Sequence, residues 1–170
     1  MAATAKAEVF LENVGSDICC PFFDSKGTLH FILKDAGEIY ELKNGSEMKL
    51  VHTTSGEATG AGFDANGMIY CTDLAHTAVL VAQPEEHKQD VVVAVYEHKP
   101  LRGPNSVAVK STGEIFFTDG GPFGSTGLHN PAGSVFMISG GIAGQILRPI
   151  SLEQLAYPSG IALDPSGTIL

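Results

Sequence analysis

One turn recurs four times along this 170-residue chain, and it limits the possible folds more than any other feature. It reads Phe22-Phe23-Asp24-Ser25-Lys26-Gly27-Thr28-Leu29, then Phe63-Asp64-Ala65-Asn66-Gly67-Met68-Ile69. The later copies are Val107-Ala108-Val109-Lys110-Ser111-Thr112-Gly113-Glu114-Ile115 and Ile161-Ala162-Leu163-Asp164-Pro165-Ser166-Gly167-Thr168-Ile169. In each copy an apolar run enters a tight turn and a second apolar run leaves it. Glycine supplies the positive φ such a hairpin needs, and Asp, Ser, Asn or Pro completes the turn. Gly27, Gly67, Gly113 and Gly167 lie 40, 46 and 54 residues apart. A hairpin repeated at that period predicts propeller blades, each a small four-stranded sheet.

Further strands can be traced within each unit. After the first hairpin come Leu29–Leu33, Ile69–Asp73 and Ile115–Asp119, followed by Gly37–Leu42, Ala78–Ala82 and Gly133–Ile138. Outer strands are expected at Met48–His52, Asp90–Tyr96 and Gly144–Arg148. These runs are short and rich in Val, Ile, Phe and Tyr. No segment of helical length carries an apolar stripe between caps, although Leu152–Ala156 has room for a single turn. The chain reads as all-β. Blades are expected over 18–54, 59–97 and 104–150, with a fourth beginning at 158–170. Ala7–Val14, within a lead-in of residues 1–17, reads as a strand of the kind that closes a propeller's last blade. Three blades cannot close a ring, because the end blades would keep open apolar flanks. The expected partners are therefore the remaining blades, supplied by the same polypeptide or by another copy.

Composition narrows the function classes. Ten Lys and Arg against 19 Asp and Glu give a net charge of −9, which disfavours a phosphate backbone as partner. No apolar run approaches the length of a membrane span or a signal peptide, so neither a membrane nor an export route is expected. Three cysteines are too few and too oddly numbered for a disulfide scaffold, which suits a reducing, cytoplasmic compartment. The vicinal pair Cys19-Cys20 and the isolated Cys71 lack the spacing of a zinc site. They read as buried structural thiols, with a nucleophilic or redox Cys19 as the sharper alternative. His30, His52, His76, His87, His98 and His129 are scattered over strand ends and loops and read as ordinary surface or turn residues.

In a propeller the innermost strand of each blade lines the central channel. Counting back eight residues from each hairpin glycine gives Cys19, Thr59, Asn105 and Ser159, which are expected to form part of one channel-lining ring. Around them lie Arg102-Gly103-Pro104-Asn105-Ser106-Val107-Ala108-Val109, Gly113-Glu114-Ile115-Phe116-Phe117-Thr118-Asp119 and Pro122-Phe123-Gly124. Tyr157-Pro158-Ser159-Gly160-Ile161-Ala162-Leu163 and Cys20-Pro21-Phe22-Phe23-Asp24 add to the pattern. Together these residues resemble the senescence-marker-protein/gluconolactonase family of six-bladed propellers. The diisopropylfluorophosphatase-type phosphotriesterases and the strictosidine-synthase-like proteins are its relatives. The resemblance spans the chain as the first half of such a ring.

The family's hydrolases hold a divalent cation, usually calcium, on oxygen ligands at the channel centre, where it polarises a lactone or phosphoester. The resemblance places Asn105 on the family's third-blade asparagine ligand. It places Ser159 where the family has a second asparagine, and Cys19 where it has a first-blade glutamate. A thiol suits calcium poorly. Asp17 could substitute for it only if the loop register slipped.

The irregular run Gly120–Gly133 lacks the lysine and helix of a phosphate-binding loop. It is either an elongated blade connection or a lid carrying Phe123 and His129 over the channel mouth. Gly140–Gly144 reads as a hairpin turn, and Pro84–Asp90 as a solvated loop. Two functional readings follow. In the first, the central site is altered and the propeller is a binding or scaffold protein in a larger assembly. In the second, Asn105 and Ser159 help hold calcium or another divalent metal in a hydrolase of lactones or organophosphate esters.

Overall fold

A computed structural model describes residues 6–140, 145–164, 166 and 167. Fourteen strands fall into three four-stranded antiparallel sheets and one small hairpin. Blade 1 is β1 (Ile18–Phe23), β2 (Leu29–Leu33), β3 (Glu38–Lys43) and β4 (Glu47–Thr53). Blade 2 is β5 (Ala58–Phe63), β6 (Ile69–Asp73), β7 (Ala78–Gln83) and β8 (Lys88–Val93). Blade 3 follows the hairpin of β9 (Val95–Tyr96) and β10 (Lys99–Pro100). It is β11 (Pro104–Val109), β12 (Ile115–Asp119), β13 (Ser134–Ser139) and β14 (Ile146–Pro149). In all three sheets spatial order equals sequence order, the meander expected of a propeller blade.

The recurring turn forms as its residues predict. The Gly27, Gly67, Gly113 and Gly167 N–H groups donate to Asp24, Asp64, Lys110 and Asp164 carbonyls at 2.8–3.2 Å, and all four glycines have positive φ. In the first two turns the aspartate reinforces the bend: Lys26 and Thr28 N–H donate to Asp24 Oδ1, and Asn66 and Met68 N–H to Asp64 Oδ1.

The core lies between blades. Ile32, Ile39, Ala61, Ile69, Cys71 and Leu80 fill the seam between blades 1 and 2. Val79, Leu101, Val107, Phe117, Phe136 and Ile138 fill the next. Each large apolar side chain buried in these seams is worth about 1.5–3 kcal/mol. Strand β5 (Ala-Thr-Gly-Ala-Gly-Phe) carries almost no bulk. Small residues there let neighbouring blades converge toward the axis, while branched and aromatic residues fill the widening wedge outside.

Several expectations need correction. Ala7–Val14 has no ladder partner among the described residues and is irregular there, and the last blade it is expected to complete is not among them. Asp90–Tyr96 is divided. β8 starts earlier, at Lys88, and ends at Val93, and the chain then turns through Glu97 and His98, both at positive φ, to pair β9 with β10. Pro84–Glu86 makes a 3₁₀ turn, so only part of the expected loop is irregular. Leu152–Ala156 makes no helical turn; Leu155 instead bridges Gly133 through two backbone hydrogen bonds of 2.8 and 2.9 Å. Residues 158–164 carry no ladder. The expected turn at 141–144 and strand at 168–170 lie outside the described residues.

Candidate functional site

The ring positions sit where the inner strands leave regular pairing. Pairing slips between Cys19 and Phe22 in blade 1, between Ala58 and Gly60 in blade 2, and between Pro104 and Val107 in blade 3. A bulge re-aims the side chains at its own position, and here three successive blades carry one at the same end of the inner strand.

The re-aimed groups engage the seams. The Thr59 hydroxyl donates across the seam to the Pro104 carbonyl at 3.0 Å and lies 3.1 Å from Thr72 Oγ1. Thr72 donates in turn to the Asn105 carbonyl at 3.0 Å. Cys20 has positive φ and its Sγ accepts the Ala61 N–H at 3.1 Å. Cys19 Sγ lies 3.9–4.0 Å from the Thr59 and Ala58 carbonyls. Burial, with Cys20 and Asp17 adding to it against Lys34, pushes the Cys19 thiol up to about 11. Burial raises Cys20 and Cys71 as well, and Cys71 is fully enclosed. The thiols therefore stay protonated at neutral pH. Cys19 should alkylate with iodoacetamide about a hundredfold more slowly at pH 8 than an ordinary cysteine, as mass spectrometry can measure. Equal rates would contradict the raised Cys19 thiol, and faster reaction would show an activated one.

Asp17 does not take the place of Cys19. It lies before the strand at positive φ, and its carbonyl accepts the Lys34 N–H at 3.1 Å. Ser159 is exposed and outside any strand. Asn105 is half-buried, and its Nδ2 donates to the Tyr157 hydroxyl at 3.5 Å.

Tyr157 is the residue that sequence reasoning missed. It has positive φ, its N–H donates to Thr126 Oγ1 at 2.9 Å, and its ring meets Phe123 edge-on at 5.6 Å. Tyr157 thus links Asn105 to the loop 120–133, which leaves β12 at the end where Asn105 lies. Phe123 is 92% exposed at the tip of that link, and His129 is exposed farther along the loop. A tyrosine before a proline carries no periodic signal that would have marked it.

Two aspartates at this end of the blades tie down the adjoining loops. β6 and β12 both end in Thr-Asp. Asp119 accepts N–H groups from Arg102 at 3.0 Å and Gly103 at 2.8 Å. Asp73 accepts from Glu57 N–H at 3.2 Å and from both the backbone N–H and Nδ1–H of His76 at 2.9 Å. Burial pushes both carboxyls up, and Asp119 stays raised. Asp73 is held below the usual range by hydrogen bonds from Thr54, His76 and Glu57. Blade 1 has no such carboxylate. β2 ends at Leu33, and the Lys34 that follows it pairs through Nζ with Oε1 of Glu57, just before β5, at 2.7 Å.

Three meandering sheets, packed flank to flank with bulged inner strands at one mouth, define a partial β-propeller. No protein-family model and no curated protein matches the sequence. Solved structures do. A gluconolactonase from Xanthomonas campestris is 19% identical, with a TM-score of 0.74 over 88% of this chain and 51% of that one. Virginiamycin B lyase from Staphylococcus aureus, solved with quinupristin, is 16% identical, with a TM-score of 0.64 over 92% of this chain and 48% of that one. A chain of a nidogen/laminin complex is 21% identical, with a TM-score of 0.62 over 82% of this chain and 50% of that one. At such identities the likeness is one of fold. The chain spans about half the length of the solved chains it matches.

Proposed function

We propose that this chain is half of a gluconolactonase-like propeller whose channel mouth binds an uncharged or protein ligand instead of supporting calcium-dependent hydrolysis. The observation that carries this reading is Cys19. At the first-blade ring position it offers a protonated thiol, turned toward the Ala58 and Thr59 carbonyls, where a calcium ion needs a carboxylate. The neighbouring donors support it. Thr59 spends its hydroxyl on Pro104, and Asn105 keeps a half-buried amide beside it. Among the described residues no three His, Cys, Asp or Glu side chains come together as metal ligands. This donor set does not fit calcium. The mouth still has recognition chemistry: the Asn105 amide, the Tyr157 hydroxyl and the exposed Phe123 ring provide hydrogen bonds beside an aromatic face.

Calcium titration of the full-length protein by calorimetry, run beside a pH-stat assay with gluconolactone, tests the proposal. The expected result is no stoichiometric micromolar binding and no calcium-dependent hydrolysis. Micromolar binding with lactone turnover would replace this reading by the hydrolase one.

A further inference from the structure

We propose that the groove between blades 1 and 2, at the hairpin end of the molecule, binds a guanidinium group carried on an alkyl stem. The groove encloses about 780 Å³ and is bordered by the turns Asp24–Thr28 and Asp64–Met68. Those turns lie at the opposite ends of β1 and β5 from Cys19 and Thr59, so this site is separate from the channel mouth.

His30 is the residue that gives the groove its acceptor. It is only 4% exposed, yet it lines the groove. Its Nδ1 lies 3.1 Å from the Thr28 carbonyl. A carbonyl can only accept, so in the neutral ring Nδ1 carries the proton and Nε2 keeps a lone pair. Nε2 has no hydrogen-bond partner among the described residues and is not enclosed, so this otherwise buried ring presents the groove with an open acceptor. The ring is fixed by packing: Phe63 meets it edge-on at 4.9 Å, and Phe22 backs both rings at 5.3–5.4 Å.

The surroundings specify a cation. Glu41 is the cross-strand partner of His30, and its nearest lysine, Lys49, is 4.0 Å away. Asp64 and Glu85 face it from blade 2, and carboxylates outnumber lysines five to two around the groove. A chelated metal ion does not fit, because no three ligand side chains converge among the described residues. A guanidinium fits better than an ammonium. Its planar fork can donate to Nε2 and to a carboxylate at once while its face lies against an aromatic ring. Leu50, Val51 and Met68 supply an apolar wall for the stem.

The test is NMR of the His30 ring nitrogens in the full-length protein during titration with n-butylguanidinium, with neutral n-butylurea as the isosteric control. A saturable shift of Nε2 in the low millimolar range is expected with the guanidinium, and no shift with the urea. Glu41→Gln should weaken binding about tenfold, the loss of one charge-assisted hydrogen bond. A thermal melt checks that this variant is folded, and the comparison of the two probes on the unmodified protein needs no variant. If the urea shifts Nε2 equally, or if neither probe does, the proposal fails. Equal affinity of folded Glu41→Gln and the unmodified protein would also overturn it. N-acetyl-arginine amide identifies the source: tighter binding than butylguanidinium indicates a peptide arginine, and equal binding a free small molecule.

Discussion

Gly60→Ala is expected to destabilise the protein by about 1–3 kcal/mol, despite adding a single methyl group. A Cβ at this position would lie 2.7 Å from Thr72 Oγ1, 2.9 Å from Ser106 Cα and 3.0 Å from the Asn105 carbonyl oxygen. Two of those atoms are backbone of β11 and cannot rotate aside, so the inner strands of blades 2 and 3 must separate. Separation would also strain the Thr59–Pro104 and Thr72–Asn105 hydrogen bonds that cross the same seam. Gly62→Ala is the control. Its Cβ meets only Val109 Cγ2, at 3.4 Å, so the reduced entropy of the unfolded chain should leave its stability nearly unchanged. Urea unfolding of the two variants makes the comparison. Equal midpoints would mean that close approach at Gly60 does not set the spacing of the blades.

Asp119→Asn should cost about 2–3 kcal/mol at neutral pH. The buried carboxylate collects the Arg102 and Gly103 N–H groups, and an amide would turn an NH₂ toward one of them. The pH dependence provides a second readout. Burial raises the Asp119 carboxyl above its ordinary 3.8, so the folded state holds this proton more tightly than the unfolded state. The stability gained by holding this proton is therefore fully present below 3.8 and is lost as pH rises through the folded value, while the Arg102 and Gly103 hydrogen bonds that the substitution disrupts remain at neutral pH. Asp73 behaves in the opposite way. Its carboxyl is held below 3.8, so its contribution is present above that value and is lost as pH falls through the folded one. Stability measured across the acid range should lose the first slope in Asp119→Asn and the second in Asp73→Asn. Parallel curves for all three proteins would contradict these assignments.

The blades could be read from the chain because their cause is local. An aspartate that takes N–H groups two and four residues ahead, followed by a glycine at positive φ, bends the backbone at Gly27 and Gly67 whatever lies around it. Short Val, Ile and Phe runs between such bends leave no alternative to strands. Errors arose where a segment needed a distant partner. Asp90–Tyr96 is divided at Ala94, because beyond it β9 pairs with β10 through the turn at Glu97 and His98 and no longer with β7.

The candidate site was legible in position but not in geometry. Counting back from the hairpin glycines lands Cys19, Thr59 and Asn105 beside the inner-strand bulges, because a repeat places equivalent residues at equivalent heights on every blade. It could not show where their side chains point. That depends on the bulges and on contacts between strands some 40 residues apart, which turn Thr59 onto Pro104 and the two vicinal thiols toward β5. The same holds for Tyr157, which reaches Asn105 across 52 residues of chain, and for His30. Local sequence chemistry fixed the turns, the strands and the number of blades, since each arises within a few residues. Packing between blades alone set which polar groups are occupied, which are enclosed and which face a ligand, since those states depend on neighbours that the chain order does not reveal.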